Sequence, residues 1–353
     1  MKIKLSQSIQ LYNFCEPYVI AELASNHNGE ISLAKKLVHA AKEAGANCVK
    51  FQSWTENTIF SKNNYEKNYF LQDDYRKRKD YSLKEIVSKF AFTEEKLIKI
   101  YQYCKQVDIE MISTPFSKQE VDFLVDRLQI PFIKIASMDI NNYPFLAYVA
   151  NKKIPIVLST GLSTLDEIDK AIQTIENEGN NQIIILHCIS NYPPNDSEIN
   201  LNRIETFQKL YPYPVGFSDH TLGYTIPLAA VAKGACLIEK HLTLDKNMFG
   251  WDHSMSISPE ELKTLVLESK RIHKALGDFR ITRMEPHEKV QAFRRSIVLS
   301  RDLKKGSVLT VNDLDFKRPG IGIQPGEITY LIGRKIKTDL EYDHIISWDD
   351  LVK

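Results

Sequence analysis

Three short segments past the middle of the chain each bring an acidic residue within two positions of a histidine. They are Val215-Gly216-Phe217-Ser218-Asp219-His220, Glu239-Lys240-His241 and Gly250-Trp251-Asp252-His253. The first two close apolar runs that read as strands, and the stretch between them, 226–233, reads as a helix. A strand–helix–strand unit makes its two strands parallel neighbours, so their C-terminal ends lie side by side. His220 and His241 are thereby expected to meet. Two neutral imidazoles and a carboxylate such as Asp252 suit a divalent transition metal that keeps open positions. A lone histidine is ordinarily a core or surface residue; the pairing at matched strand ends is what points to a metal.

These strands belong to a longer alternation. Strands are expected at 18–23, 48–51, 110–113, 132–135, 154–158, 183–187, 215–217 and 235–238. Helices are expected at 31–43, 94–106, 118–128, 143–151, 165–178, 201–210, 226–233 and 259–276. Eight strand–helix units over about 260 residues predict a (β/α)8 TIM barrel. A doubly wound open sheet would carry a glycine-rich turn after its first strand; here Glu22 and Asn26 stand there instead. Chemistry in such a barrel sits at the C-terminal strand ends. Those ends are polar throughout: Glu22, Lys50 and Gln52, Thr114, Lys134, Ser137 and Asp139, Ser159, His187 and Tyr192, Ser218, and Glu239. Lysines and hydroxyls gathered around a metal suggest a phosphorylated or carboxylated substrate.

Around the barrel, 17–276, the chain divides as follows. Residues 1–16 are expected to form a hairpin that caps the barrel. The long connection 54–92 reads as a lid or binding loop. It carries Tyr65, Tyr69, Tyr75 and Tyr81, and its Arg76-Lys77-Arg78-Lys79 run reads as a solvated face. A linker is expected at 277–291, followed by a small β-rich domain at 292–353. In that domain Asp302–Leu314 repeats as Asp339–Leu351 at a spacing of 37, which predicts internal pseudo-symmetry. Of the 353 residues 43% are hydrophobic and 26% charged, with a net charge of +1, a globular composition with no bias toward nucleic acid or membrane. The five cysteines are scattered and form no CxxC pair, as expected of reduced thiols in a cytoplasm. No signal peptide and no apolar run of membrane-spanning length are read in the chain.

Together these motifs resemble the sialic acid synthase family of phosphoenolpyruvate-condensing enzymes. The resemblance rests on Glu22 with Asn26-His27-Asn28-Gly29, Val49-Lys50-Phe51-Gln52, Ser113-Thr114-Pro115-Phe116 and Lys134-Ile135-Ala136-Ser137. It continues through Leu158-Ser159-Thr160-Gly161, His187-Cys188 with Tyr192-Pro193, Ser218-Asp219-His220-Thr221 and Glu239-Lys240-His241. Lys317-Arg318-Pro319-Gly320 resembles the antifreeze-like (SAF) domain of the same family. The resemblance implies condensation of phosphoenolpyruvate with the aldehyde of a 2-acetamido hexose, giving a nine-carbon 2-keto acid of the sialic acid type and phosphate. It implies Mn²⁺, or Mg²⁺ or Co²⁺, on His220 and His241. Phosphoenolpyruvate would be held through its phosphate by Lys134, Ser137, Ser159 and Ser218, and through its carboxylate by Lys50 and Thr114. Glu22 would act at the reacting carbons, with Asp252 facing the sugar and the metal's water. Gln52, Asp139, Tyr192 and Phe293 would line the sugar pocket, and Arg318 would reach the active site of the other subunit of a homodimer.

Four positions depart from the usual pattern: Ala24 in place of Gly, Asp139 in place of Glu, Ser190 in place of Asn and Trp251 in place of Pro. Asp139 and Trp251 bear on the sugar, so N-acetylmannosamine and 2,4-diacetamido-6-deoxy hexoses both stand as candidates. Two other readings compete. A DAHP/KDO8P-type synthase acting on a phosphorylated aldose would need further cations for the second phosphate. A non-catalytic sugar- or ice-binding protein would have no use for Glu22, two lysines and two histidines at strand ends.

Overall fold

The computed structural model describes residues 1–6, 9–68 and 82–352. Tyr69, Tyr75, Tyr81 and the Arg76–Lys79 run lie outside the described residues. The chain separates into two compact units, Met1–Gly277 and Asp278–Lys353.

The first unit opens with a small antiparallel hairpin of β1 (Ile3–Lys4) and β2 (Gln10–Leu11). Eight parallel strands follow: β3 (Tyr18–Ala24), β4 (Cys48–Ser53), β5 (Glu110–Pro115), β6 (Ile133–Ile135), β7 (Ile156–Ser159), β8 (Ile183–Cys188), β9 (Val215–Asp219) and β10 (Leu237–His241). Their hydrogen-bonded order is β5-β4-β3-β10-β9-β8-β7-β6. The end strands β5 and β6 also lie side by side, so the sheet returns on itself as a TIM barrel. These strands are buried along almost their whole length, because helices cover one face and the barrel interior the other. The helices begin where the sequence supplies caps. Thr164 with Glu167 and Ser258 with Glu261 form capping boxes, and Pro259 occupies the first turn of Pro259–Leu276.

Two apolar clusters show how the barrel is filled. One lies between sheet and helices. The other joins Ile3, Leu5 and Leu11 of the hairpin region to Tyr18, Ile20 and Leu237 of the strands. That second cluster marks the inward face at the N-terminal end, and the hairpin plugs it. Gly216 belongs to this packing: a Cβ there would lie 2.6 Å from Leu186 Cδ2 and from the Leu237 carbonyl. Strand side chains alternate with period 2. The inward column therefore continues from Ile20 to Glu22, from Cys48 to Lys50, from Ile112 to Thr114, from Phe132 to Lys134 and from Leu237 to Glu239 and His241. The interior is apolar at one end and charged at the other, and the charged end is where the strands finish.

Two local expectations differ in form. The helix expected over 118–128 is an α-helix only at Lys118–Asp122 and continues as a wider π turn at Phe123–Arg127, with Leu128 N–H donating to Phe123 O. The stretch 277–291 read as a linker contains most of a short helix, His287–Phe293.

The second unit has its own core, with Ile297, Leu299, Leu309, Leu331, Ile336 and Ile346 buried. Its antiparallel strands are β11 (Ser296–Leu299) and β12 (Leu314–Lys317). The 37-residue repeat is realised as pairing. Leu303 and Leu340 exchange both backbone hydrogen bonds, and the bridge Val298–Ile345 has its counterpart in Val308–Lys335. The capping box Thr310/Asp313 is matched by Ser347/Asp350.

Candidate active site

The strand ends surround a cavity of about 320 Å³. On its floor Glu22, Lys50, Lys134 and Glu239 are all buried. Lys50 Nζ pairs with Glu22 and lies 3.4 Å from Glu239 Oε1. Lys134 Nζ is 3.8 Å from the same oxygen and donates to Ser159 Oγ at 2.6 Å. Ser218 Oγ donates to Glu239 Oε1 at 2.9 Å, and Thr114 Oγ1 accepts from Lys50 at 3.2 Å. Glu239 is thus the hub of the cluster, gathering both lysines and a hydroxyl. Its position as the inward residue of β10 is legible in the sequence through period 2. Its role was not, because the partners that meet it come from three other strands.

Glu22 is fixed by an irregularity. The register of β3 on β4 shifts between Glu22 and Ala24, and Ala24 has φ of +40°. This bulge turns the Ala24 N–H onto Glu22 Oε1 at 2.6 Å. The left-handed conformation explains why this position favours glycine. Burial pushes the Glu22 carboxyl up, Lys50 opposes it and Glu239 reinforces it, leaving it at about 7. Burial would likewise raise Glu239, but Lys134 and Lys50 outweigh it and hold Glu239 below the usual range. Lys134 is lowered by burial, with Glu239 acting against that trend.

The two histidines meet beside this floor, with ring centroids 5.4 Å apart. His220 Nδ1 faces the Ile189 carbonyl at 2.7 Å, and the Tyr192 ring lies tilted against the same imidazole, centroids 4.2 Å apart. His241 Nδ1 is buried without a hydrogen-bond partner and lies 3.9 Å from Asp252 Oδ2. Burial, then the neighbouring His220, holds His241 well below its ordinary range, so its ring is neutral. Among the described residues no group of three or more His, Cys, Asp or Glu side chains forms a metal site. The donor set fits an open one: two imidazoles, one with an orphaned nitrogen and one oriented by a carbonyl. Behind them Lys240 and Asp219 form a fully buried ion pair at 2.6 Å, and Asp219 accepts from Thr221 N and Oγ1.

Glu22, Lys50, Gln52, Thr114, Lys134, Ser137, Ser159, Tyr192, Ser218, His220, His241 and Asp252 all line the cavity. Asp139 does not; it sits on the turn beyond Ser137 and accepts from Asn142 at 3.2 Å. Phe293 and Arg318 belong to the second unit, with the Arg318 guanidinium 5.1 Å over the Phe293 ring. Cys188 and Ser190 line the cavity without an assigned role, as does Trp251.

The profile of the NeuB family matches residues 37–280, and that of the SAF domain matches residues 294–352. The chain belongs to the NeuB family. Among NeuB-family relatives it is 38% identical to the N,N'-diacetyllegionaminic acid synthase of Legionella pneumophila, covering 95% of this chain and 94% of that one. It is 33% identical to the human N-acetylneuraminate-9-phosphate synthase, over 93% and 91% of the two chains. The crystal structure of the N-acetylneuraminic acid (sialic acid) synthetase of Leptospira borgpetersenii superposes with a TM-score of 0.73 at 31% identity. That match covers 82% of this chain and 94% of that one. Among the described residues no helix is long and apolar enough to cross a membrane.

Proposed function

We propose that this chain condenses phosphoenolpyruvate with the open-chain aldehyde of a 2-acetamido hexose, either N-acetylmannosamine or a 2,4-diacetamido-6-deoxy hexose. The observation that carries this reading is the Glu22–Lys50–Glu239–Lys134 cluster beside the paired imidazoles of His220 and His241 at the strand ends. Phosphoenolpyruvate brings a phosphate and a carboxylate. Lys134, with Ser137, Ser159 and Ser218, suits the phosphate; Lys50 with Thr114 suits the carboxylate. Their carboxylate partners hold these cations ready, so little reorganisation accompanies binding. C3 of phosphoenolpyruvate bonds to the aldehyde carbon, water adds at C2, and the bond from C2 to the phosphate oxygen breaks. A 2-keto acid and inorganic phosphate result. Glu22, poised near neutral pH, can hold or release a proton at the reacting carbons and balance positive charge at C2.

His220 and His241 would hold a divalent ion, Mn²⁺, Mg²⁺ or Co²⁺. Such an ion supplies Lewis-acid polarisation of the aldehyde. Asp252, 3.9 Å from His241, would face the sugar and the water. The active form in this reading is a homodimer in the cytoplasm, with Arg318 of one chain serving the cavity of the other. The Legionella and human relatives are synthases of sialic-acid-type products, which supports the same reaction class.

The test is a coupled phosphate-release assay with phosphoenolpyruvate and a panel of free and phosphorylated sugars. Release is expected only when a free 2-acetamido hexose is present. Release with a phosphorylated aldose that carries no acetamido group, and none with an amino sugar, would assign the chain to the aldose-phosphate synthases instead. Direct Mn²⁺ titration should show one site that His220→Ala or His241→Ala removes without unfolding the chain.

A further inference from the structure

Of the three acidic–histidine segments in the sequence, two bring His220 and His241 to the cavity. The third brings Asp252 but not the histidine beside it. His253 is buried outside the lining, where the loop 25–29 after β3 meets the loop 242–258 after β10. Its Nδ1 stands 2.7 Å from the Thr243 hydroxyl and its Nε2 3.2 Å from Asn28 Oδ1. Asn28 Nδ2 donates to the Phe249 carbonyl at 2.9 Å, which turns Oδ1 toward the histidine and makes Nε2–H the donor. The chain wraps closely around this ring. A Cβ on Gly250 would lie 2.4 Å from His253 Cδ2 and 3.1 Å from Asn28 Oδ1. On the other side of Asp252, Trp251 lies 6.1 Å from Trp54 and meets Phe90 edge-on at 5.7 Å. Ser256 Oγ donates to the Asp252 carbonyl at 2.6 Å and accepts from Asn26 Nδ2 at 2.9 Å. Between these anchors Asp252 sets Oδ2 3.9 Å from His241 Nδ1 and accepts from Ser25 Oγ at 3.4 Å. Any buried histidine needs polar partners. What marks this one is that its partners join two loops and that the residue before it lines the cavity.

We propose that His253 is a positioning residue: through Asn28 and Thr243 it fixes the turn that carries Asp252 into the cavity, and it touches no reactant itself. That role rests on the functional reading above, in which Asp252 faces the sugar and the water. A carboxylate on an unanchored loop must be ordered when substrate binds; here the ordering is completed on folding. A shift of about 1 Å at such a group costs about a hundredfold in rate. The lysines of the floor stand on β4 and β6 and are held by Glu22 and Glu239, not by this turn. Loss of His253 should therefore fall on the sugar and spare phosphoenolpyruvate.

The test joins crystal structures of the native and His253→Leu chains to steady-state kinetics with phosphoenolpyruvate and the best amino sugar of the panel. In His253→Leu, kcat/KM for the sugar should fall by about a hundredfold while KM for phosphoenolpyruvate stays within about twofold. Its crystal structure should show the Asp252 carboxylate displaced from His241, with Glu22, Lys50 and Lys134 unmoved. His253→Gln keeps an N–H near the place of Nε2 and should recover at least about tenfold of the loss. Asn28→Ala cuts the same network from the other loop and should reproduce the split, so it remains informative if His253→Leu fails to fold. A role confined to stability would lower Tm and leave the folded chain's kinetics for both substrates unchanged. That result, an Asp252 carboxylate unmoved in both variants, or failure of every variant to fold would overturn the inference while leaving the functional reading standing. Absence of phosphate release by the native chain with every sugar would overturn that reading, and this inference with it.

Discussion

The two floor lysines look alike in sequence and differ in the fold. Neither has an acidic neighbour along the chain that would suggest a structural role, yet both meet Glu239 in space. The fold opposes charge on Lys134 through burial. For Lys50, burial acts the same way, but Glu22 and Glu239 outweigh it and raise it above the ordinary range. Their replacements should separate accordingly. Lys134→Met should abolish turnover or raise KM for phosphoenolpyruvate strongly, with stability changed by less than about 1 kcal/mol. Lys50→Met strips Glu22 of its cation and should cost about 3 kcal/mol as well as activity, the scale of a broken buried pair. Denaturant unfolding beside steady-state kinetics reads both; equal stability losses would show that Lys134 is structural too. Glu22 adds a pH dependence. Its folded-state value of about 7 lies above the ordinary 4.5. The native state then holds a proton that the unfolded chain has released, so stability falls as pH rises from about 4.5 through 7. At about 1.4 kcal/mol per pH unit the full loss is about 3 kcal/mol. In metal-free protein Glu22→Gln should flatten the unfolding free energy across that window. A slope that persists would place the titration elsewhere.

At the scale of elements, strand period and strand order account for how much could be read in advance. The alternation of apolar runs specified eight strands and a barrel, and the barrel specified which strand ends carry chemistry. His220 and His241 were legible because adjacent parallel strands must end together. Glu239 was visible only as a polar residue, since its meaning depends on β4, β6 and β9 converging on β10. Trp251 was visible as a departure, and the cluster that holds it was hidden because Trp54 and Phe90 lie far away in sequence. Asp139 was placed in the sugar pocket by analogy, but the short turn after Ser137 carries it out of the cavity lining. The pair Asp219–Lys240 shows the same strands working on their outer face. It ties β9 to β10 directly behind the histidines, with both side chains fully buried. Removing one partner strands the other charge, so Asp219→Asn should destabilise the barrel by about 3–5 kcal/mol. Replacing both with apolar residues, as in Asp219→Leu with Lys240→Met, should recover most of that loss. Equal destabilisation in the single and double variants would mean that the pair's hydrogen bonds to Thr221, rather than its charge balance, hold the loop.

On the scale of the whole molecule the question is what the small second unit contributes. Its two half-sequences pair with each other and enclose a core of their own, so it has no evident need of Arg318 for stability. The loop that carries Arg318 is nevertheless tightly fixed. Ser296 Oγ donates to the Pro319 carbonyl at 2.6 Å and accepts from Gly322 N–H at 2.8 Å. Gly320 N–H donates to the Gln291 carbonyl at 2.7 Å, and a Cβ on Gly320 would lie 2.7 Å from Arg294 Cβ. Below the exposed guanidinium lies the Phe293 ring. A cation held on so rigid a loop has little entropy left to lose on meeting a ligand. If that ligand occupies the cavity of the other chain in a homodimer, two inactive proteins can repair each other. Arg318→Ala and Lys134→Met chains should each be nearly inactive. After reversible dissociation and random mixing, half the dimers carry one chain of each kind. In such a dimer one site bears both lesions and the other bears neither. Activity should therefore return to about a quarter of the wild-type value. Mass spectrometry of the mixture verifies subunit exchange. Exchange without recovery would mean that Arg318 serves its own chain's cavity or none.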